Sequence, residues 1–120
     1  MPDPISLTDK LSQFDETWTP KVIASLNGQL VKLAKLEGEF VWHDHADEDE
    51  LFYVVSGRLR LEMREGAVEL GPGDLYVVPR GVEHKPVALP TAEVMLFEPA
   101  ETAHTGDVVT DRTVTDLDWI

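Results

Sequence analysis

Three of the four histidines in this 120-residue chain, with one glutamate, are of the right types and spacing to share a single ion. His43 and His45 stand two apart, and on a strand that spacing sends both imidazoles out of the same face. Glu50 follows five residues later, past an acidic loop and at the head of the next apolar run, and His84 begins a later strand behind the turn Pro79-Arg80-Gly81. Three neutral ring nitrogens and one carboxylate oxygen suit a borderline divalent ion such as Fe, Mn, Co, Ni, Cu or Zn. Four protein ligands on an octahedral ion leave two positions open, which is what a substrate, water or dioxygen needs to reach a catalytic metal. Each histidine alone reads as an ordinary strand or core residue; the four together carry the inference. Glu48 is the alternative carboxylate should the loop register differ. The run Asp47-Glu48-Asp49-Glu50 lacks the D-x-D-x-D-G spacing of a calcium loop, because Leu51 stands where a third acid is needed.

A barrel could bring these side chains to one place, and the chain reads as β. From Lys21 onward the apolar segments are short, rich in Val, Leu and aromatics, and separated by turn chemistry at Asn27-Gly28, Gly38, Ser56-Gly57, Glu65-Gly66 and Gly71-Pro72-Gly73. Asn27-Gly28 predicts a tight hairpin, since both residues tolerate the positive φ of a type I′ turn. Residues 58–64 alternate without a break, with Leu59, Leu61 and Met63 on one face and charges on the other. Further strands are expected at 39–45, 51–55, 74–78, 84–88 and 92–98. Eight or so short strands predict an all-β barrel, closed or double-sheeted so that few edges stay open. The best helix signal is at 5–14, where Leu7, Leu11 and Phe14 form one stripe behind a Ser6 N-cap. The expected organisation is a lead-in with a short N-terminal helix at 1–20, the barrel at 21–99, and a Thr-rich tail at 100–120 packed on the barrel or on a partner.

Composition narrows the partners. The net charge is −13, and the ten basic residues are scattered, so no basic stripe exists to trade counterions with a phosphate backbone. Nucleic acid is therefore excluded, and an anionic membrane surface is disfavoured for the same reason. The longest apolar run, residues 51–55, is far short of a membrane span. There is no cysteine, hence no disulfide, thiolate metal site or cysteine nucleophile. The N-terminus has neither the basic nor the apolar segment of a signal peptide, and a cytoplasmic location is expected.

Residues 38–88 resemble the two motifs of the cupin superfamily. The first, G-x5-H-x-H-x3,4-E-x6-G, is matched by His43, His45, Glu50 and Gly57; the second, G-x5-P-x-G-x2-H-x3-N, by Gly73, Pro79, Gly81 and His84. Two departures are visible: four residues separate Gly38 from His43 where the pattern has five, and Ala88 takes the place of the final Asn. Neither touches a ligand position. The short spacer between Gly57 and Gly73 is similar to that of small single-domain bacterial cupins, and the runs around Trp42-His43 and Val78-Pro79 are similar to the subgroup labelled mannose-6-phosphate-isomerase-like.

The resemblance implies a cupin double-stranded β-helix, or jelly-roll barrel, binding one divalent transition metal per chain (Fe, Mn, Zn, Ni or Co) through His43, His45, Glu50 and His84. It also implies a homodimer. The expected function is a metal-dependent enzyme acting on a small polar or anionic metabolite, by oxygenase, isomerase or lyase chemistry. The alternative is a non-catalytic binding or sensor module using the same pocket. A spare acid or base within reach of the open metal positions distinguishes the two. No residue is assigned as the catalytic acid or base, although Tyr53 and Tyr76 are candidates. Arg80 and Lys85 flank the second motif and are expected to hold a substrate carboxylate or phosphate. Trp42, Phe52 and Tyr53 are read as pocket or core, and His104 is not expected to be a ligand.

Overall fold

The computed structural model describes residues 3–100 and 117–120, so His104 and most of the tail lie outside the described residues. One helix, α1 (Leu7–Leu11), precedes six strands: β1 (Lys21–Leu26), β2 (Gln29–Glu39), β3 (Glu50–Met63), β4 (Gly66–Leu70), β5 (Leu75–Val78) and β6 (His84–Pro99). All pair antiparallel in the order β1-β2-β6-β3-β4, with β5 added to β3. The fold is the all-β jelly roll expected, built from fewer and longer strands. Residues 51–55 and 58–64 join into β3, and 84–88 and 92–98 join into β6.

The reason is how the chain turns the barrel's corners. β3 does not stop at Ser56-Gly57; it shifts register between Val54 and Ser56 and again between Gly57 and Leu59, and bends from one half-sheet into the other. Gly57 permits this because its φ is +79° and its Cα faces the β6 backbone so closely that a Cβ there would lie 2.8 Å from Ala92 Cα. The expected strand at 39–45 is also redrawn. β2 runs on to Glu39, past a register shift between Glu37 and Glu39, and beyond it only the bridge His43–His84 keeps strand pairing.

Alternation decides what faces inward. Ala34 and Leu36 of β2, Phe52 and Val54 of β3, and Val94 and Leu96 of β6 all point into the lumen and are buried. The opposite face of the β1–β2 hairpin is covered by the lead-in, where Leu11 and Phe14 pack on Ile23 and Leu33. α1 is shorter than its sequence stripe: Ser6 Oγ caps the Asp9 amide at 3.2 Å, and Ser12 ends the helix by turning its hydroxyl onto the Asp9 carbonyl. So short a helix holds by packing rather than by propensity. Near the other terminus the Ile120 amide donates to the Val22 carbonyl beside a Val22–Trp119 bridge, which sets these last residues alongside β1.

Candidate metal centre

The four residues picked out by spacing converge. Donor atoms of His43, His45, Glu50 and His84 all lie within 4.8 Å of one another, and all four residues are buried. Two backbone hydrogen bonds between His43 and His84, at 3.0 and 2.9 Å, form an isolated antiparallel bridge that sets the two residues directly opposite each other. The ring centroids are 4.3 Å apart. Glu50 opens β3 opposite Val78, and its Oε1 is 3.3 Å from His45 Nε2 and 3.4 Å from His84 Nε2.

The second-motif turn is tied to the first motif from behind. The Gly81 amide donates to the His45 carbonyl at 2.8 Å, and the Arg80 amide to Asp49 Oδ1 at 2.9 Å. The motif glycine and the acidic loop are therefore not ligands but the frame that brings His84 to its partners.

Second contacts decide which nitrogen faces the centre. His43 Nδ1 donates to the Val41 carbonyl at 2.9 Å and His84 Nδ1 to the Val82 carbonyl at 3.0 Å, each two residues back along the chain. With the proton held on Nδ1, the Nε2 lone pair points inward. His43 Nε2, His45 Nε2, His84 Nε2 and Glu50 Oε1 are all buried and have no hydrogen-bond partner. Leaving a buried polar atom unpaired costs about 1–3 kcal/mol each, so four together call for an ion at their centre. The donor set fits a divalent transition metal.

Electrostatics agrees. Burial and the neighbouring His84 push His43 down to about 4, which keeps its ring neutral and ligand-ready at neutral pH. His45 is burdened by burial too, but the Glu50 carboxylate 3.3 Å away outweighs that and raises it. Burial opposes ionisation of Glu50, yet the close approach of the His45 and His84 rings holds it well below the usual carboxylate range.

Sequence reasoning missed two residues beneath this cluster. Lys32 and Glu98 are completely buried and form a 2.9 Å ion pair, and Glu98 is near enough to Glu50 for the two carboxyls to feel each other's charge. Burial and the Glu50 charge push Glu98 well above the usual carboxylate range. The signal was present in the alternation. Lys32 has the same strand parity as Ala34 and Leu36, and Glu98 that of Leu96 and Val94, which places a charge of each sign inside.

A small cavity of about 30 Å³ adjoins the cluster. His43 and Glu50 line it, as do Trp18, Phe40, Phe52 and Leu96. Arg80 and Lys85 lie elsewhere. Arg80 is exposed and pairs with Asp49 at 3.4 Å, while Lys85 contacts Glu39 and Glu62 at 3.5 and 3.4 Å. Trp42 points outward, under the Arg64 guanidinium at 3.7 Å. Tyr76 sits opposite Phe52 and packs on the core, and Tyr53 lies on the other face of β3. Neither tyrosine lines the cavity.

A cupin-domain family model matches residues 29–100 of the chain. The chain is a cupin. A crystal structure of a cupin-2 domain protein from Shewanella frigidimarina superposes with a TM-score of 0.78 and is 48% identical, over 79% of this chain and 93% of that one. The Bacillus subtilis protein YdbB is 40% identical over 65 residues, 52% of this cupin and 57% of the relative. A Saccharolobus solfataricus protein named "Putative dioxygenase SSO1533" is 29% identical over 94 residues, 76% of this cupin and 24% of its own length. The chain thus spans only part of the curated relatives it matches. No described helix is long and apolar enough to cross a membrane.

Proposed function

We propose that this cupin is a metal-dependent oxygenase of a small molecule, using one divalent ion held by His43, His45, Glu50 and His84. The observation that carries the reading is four unpartnered, buried donor atoms that converge, two of them, from His43 and Glu50, on residues lining a small cavity. A redox-active ion in that position supplies electron transfer to dioxygen. The chain's own part is to hold the ligands and shape the site. The Val41 and Val82 carbonyls keep the His43 and His84 protons on Nδ1, Glu50 sets the charge, and the apolar wall excludes water.

Reaction class follows from what the wall lacks. Among the described residues lining the cavity, the polar ones are His43 and Glu50, both metal ligands. Isomerases and lyases move a proton with a free acid or base. Such a group is missing from this wall, which favours chemistry carried by the ion. The Saccharolobus relative's name supports the same reading. The same bare wall favours, as second reading, a module that binds a ligand without turning it over. We also propose that the chain works in the cytoplasm as a homodimer, joined through the outer sheet face where Leu75 and Val77 are 56% and 43% exposed.

The test is metal content of untagged protein purified without chelator, beside a His43→Ala/His84→Ala double variant. About one iron or manganese per chain, lost in the variant, followed by substrate-dependent oxygen uptake, supports the oxygenase. Stoichiometric metal with ligand binding and no uptake leaves the binding module. Substoichiometric metal unchanged by the variant, with no gain on adding Fe²⁺, Mn²⁺ or Zn²⁺, overturns both.

A further inference from the structure

Two carboxylates stand next to each other inside this barrel, and only one of them belongs to the candidate metal centre. The β3–β6 register pairs Leu51 with Phe97, so one step further along the same antiparallel ladder Glu50 lies across from Glu98. Both have inward parity: Glu50 shares the face of Phe52 and Val54, and Glu98 that of Leu96 and Val94. Side chains so placed start from Cβ atoms about 5 Å apart, and like charges directly opposite repel. An ion held by Glu50 and the three imidazoles therefore has a second buried carboxylate for a neighbour.

Glu98 nevertheless stands outside the group. Among the described residues, the donor atoms within 4.8 Å of one another come from His43, His45, Glu50 and His84. Glu98 is engaged instead by Lys32, whose Nζ donates to its Oε1 at 2.9 Å. β2 places Lys32 for this, since it pairs with Leu96, two residues from Glu98 and on the same inward face. The other oxygen of Glu98, Oε2, is buried and has no hydrogen-bond partner. Its lone pairs are free, and a buried carboxylate without a full set of partners is a ready ligand for a cation.

Charge shows what Lys32 contributes. A divalent ion with Glu50 as its one anionic ligand keeps one net positive charge, and four protein ligands on an octahedral ion leave two positions for other molecules. With Glu98 as a further ligand the centre would be neutral and one of those positions filled. The ammonium of Lys32 prevents this by giving Glu98 its counter-charge from within the chain.

We infer that Lys32 is a positioning residue of the metal centre: by pairing with Glu98 it keeps that carboxylate from becoming a fifth protein ligand, and so preserves the open positions and the positive charge that an incoming anion or water meets. This rests on the metal reading above and adds to it the residue that sets the ligand count.

The experiment titrates Co²⁺ into the full chain, into Lys32→Met and into Lys32→Met/Glu98→Leu. Affinity is read by competition with a chelator, ligand exchange by the visible spectrum of cobalt, and the open position by the spectral change on adding azide, a small anion. Lys32→Met is expected to bind Co²⁺ at least about tenfold more tightly than the wild type, with an altered band, and to bind azide at least about tenfold more weakly. Lys32→Met/Glu98→Leu is expected to return all three readings to the wild-type values, because the carboxylate that joined the ion is gone. A lysine that only stabilised the fold would leave the band unchanged and weaken Co²⁺ in the single variant. Where metal-free Lys32→Met does not fold, it is refolded with Co²⁺ present and the bound ion competed away, and the double variant, which buries no unpaired charge, is titrated as it stands. Co²⁺ held by the wild type but no more tightly by Lys32→Met, one band shared by the single and double variants, or loss of Co²⁺ in the double variant overturns the inference and leaves the metal reading standing. No Co²⁺ on the wild type sinks the metal reading itself, and the inference with it.

Discussion

Two buried polar clusters lie against each other inside this barrel, and they meet the same demand in different ways. Glu98 is a carboxylate at 0% exposure, and the chain supplies its cation: Lys32, also at 0%, arrives from the neighbouring strand at 2.9 Å. Glu50, at 2%, is surrounded instead by three histidines whose inward nitrogens offer lone pairs. One cluster is an ion pair complete in its charges. The other is an ion pair with its cation left to be taken from solution. A buried carboxylate needs a counter-charge or a proton, so the difference marks which cluster is structural and which binds. The two are joined where Glu98 faces Glu50, and a disturbance in one is felt in the other.

The sharpest way to break that contrast is to remove the chain's own cation. Lys32→Met strands Glu98 beside Glu50, and stability measured by urea unfolding is expected to fall by about 3–5 kcal/mol. Burial and Glu50 already raise Glu98, and without Lys32 it takes up a proton more readily still. The loss is therefore smaller at pH 5 than at pH 8. Lys32→Met with Glu98→Leu removes both charges and restores most of the stability. Equal losses in the single and double variants would show that the pair acts by packing alone.

Supplying the missing cation should do the opposite for the second cluster. Zn²⁺ or Fe²⁺ in thousandfold excess over its dissociation constant is expected to stabilise the wild type by about 4 kcal/mol, read as a rise in unfolding midpoint. The His84→Ala variant should gain almost nothing. A similar gain in the variant would mean that the ion binds outside the four-residue site.

Acid offers a test on the metal-free protein, of somewhat smaller size. His43 is lowered from 6.5 to about 4 by burial and His84, so the unfolded chain takes up this proton first. Its contribution is complete above pH 6.5 and is lost as pH falls toward 4, by about 3 kcal/mol over the window. His45 is shifted the other way, so it stabilises below 6.5 and that part fades as pH rises through its folded value. The expected curve falls on the acid side, and His43→Phe flattens it. An unchanged slope in that variant would remove His43 as its source.

Much of this site was legible as spacing. His43-x-His45, Glu50 and His84 sit at motif offsets, and local turn chemistry predicts the β1–β2 hairpin at Asn27-Gly28, where φ is +50° and +78°. What was not legible depends on contacts distant in sequence. Ser56-Gly57 reads as a turn, and only the closeness of the β6 backbone makes it a bend inside one strand. Trp18 reads as lead-in, because its place over the cavity is fixed by Lys35, Glu37 and Phe40 from elsewhere. Lys32 reads as a surface lysine until its strand parity is compared with that of Glu98, 66 positions on.

The smallest effect expected concerns a third kind of charged contact, outside the barrel. Arg80 and Asp49 form an exposed pair, with side chains 63% and 50% accessible, and water screens both. Their hydrogen bond is nevertheless next to Glu50 in sequence, and the Arg80 amide, which no substitution of the side chain removes, is held by the same Asp49 oxygen. Arg80→Ala should therefore leave both the urea midpoint and Zn²⁺ affinity within experimental scatter. Asp49→Ala, which also releases the amide that fixes the turn before His84, should leave the midpoint nearly unchanged and weaken Zn²⁺ by several-fold. If Arg80→Ala weakens the metal as much as Asp49→Ala does, the side-chain pair and not the backbone bond frames the site, and the division between a solvated exterior and a binding interior moves outward by one shell.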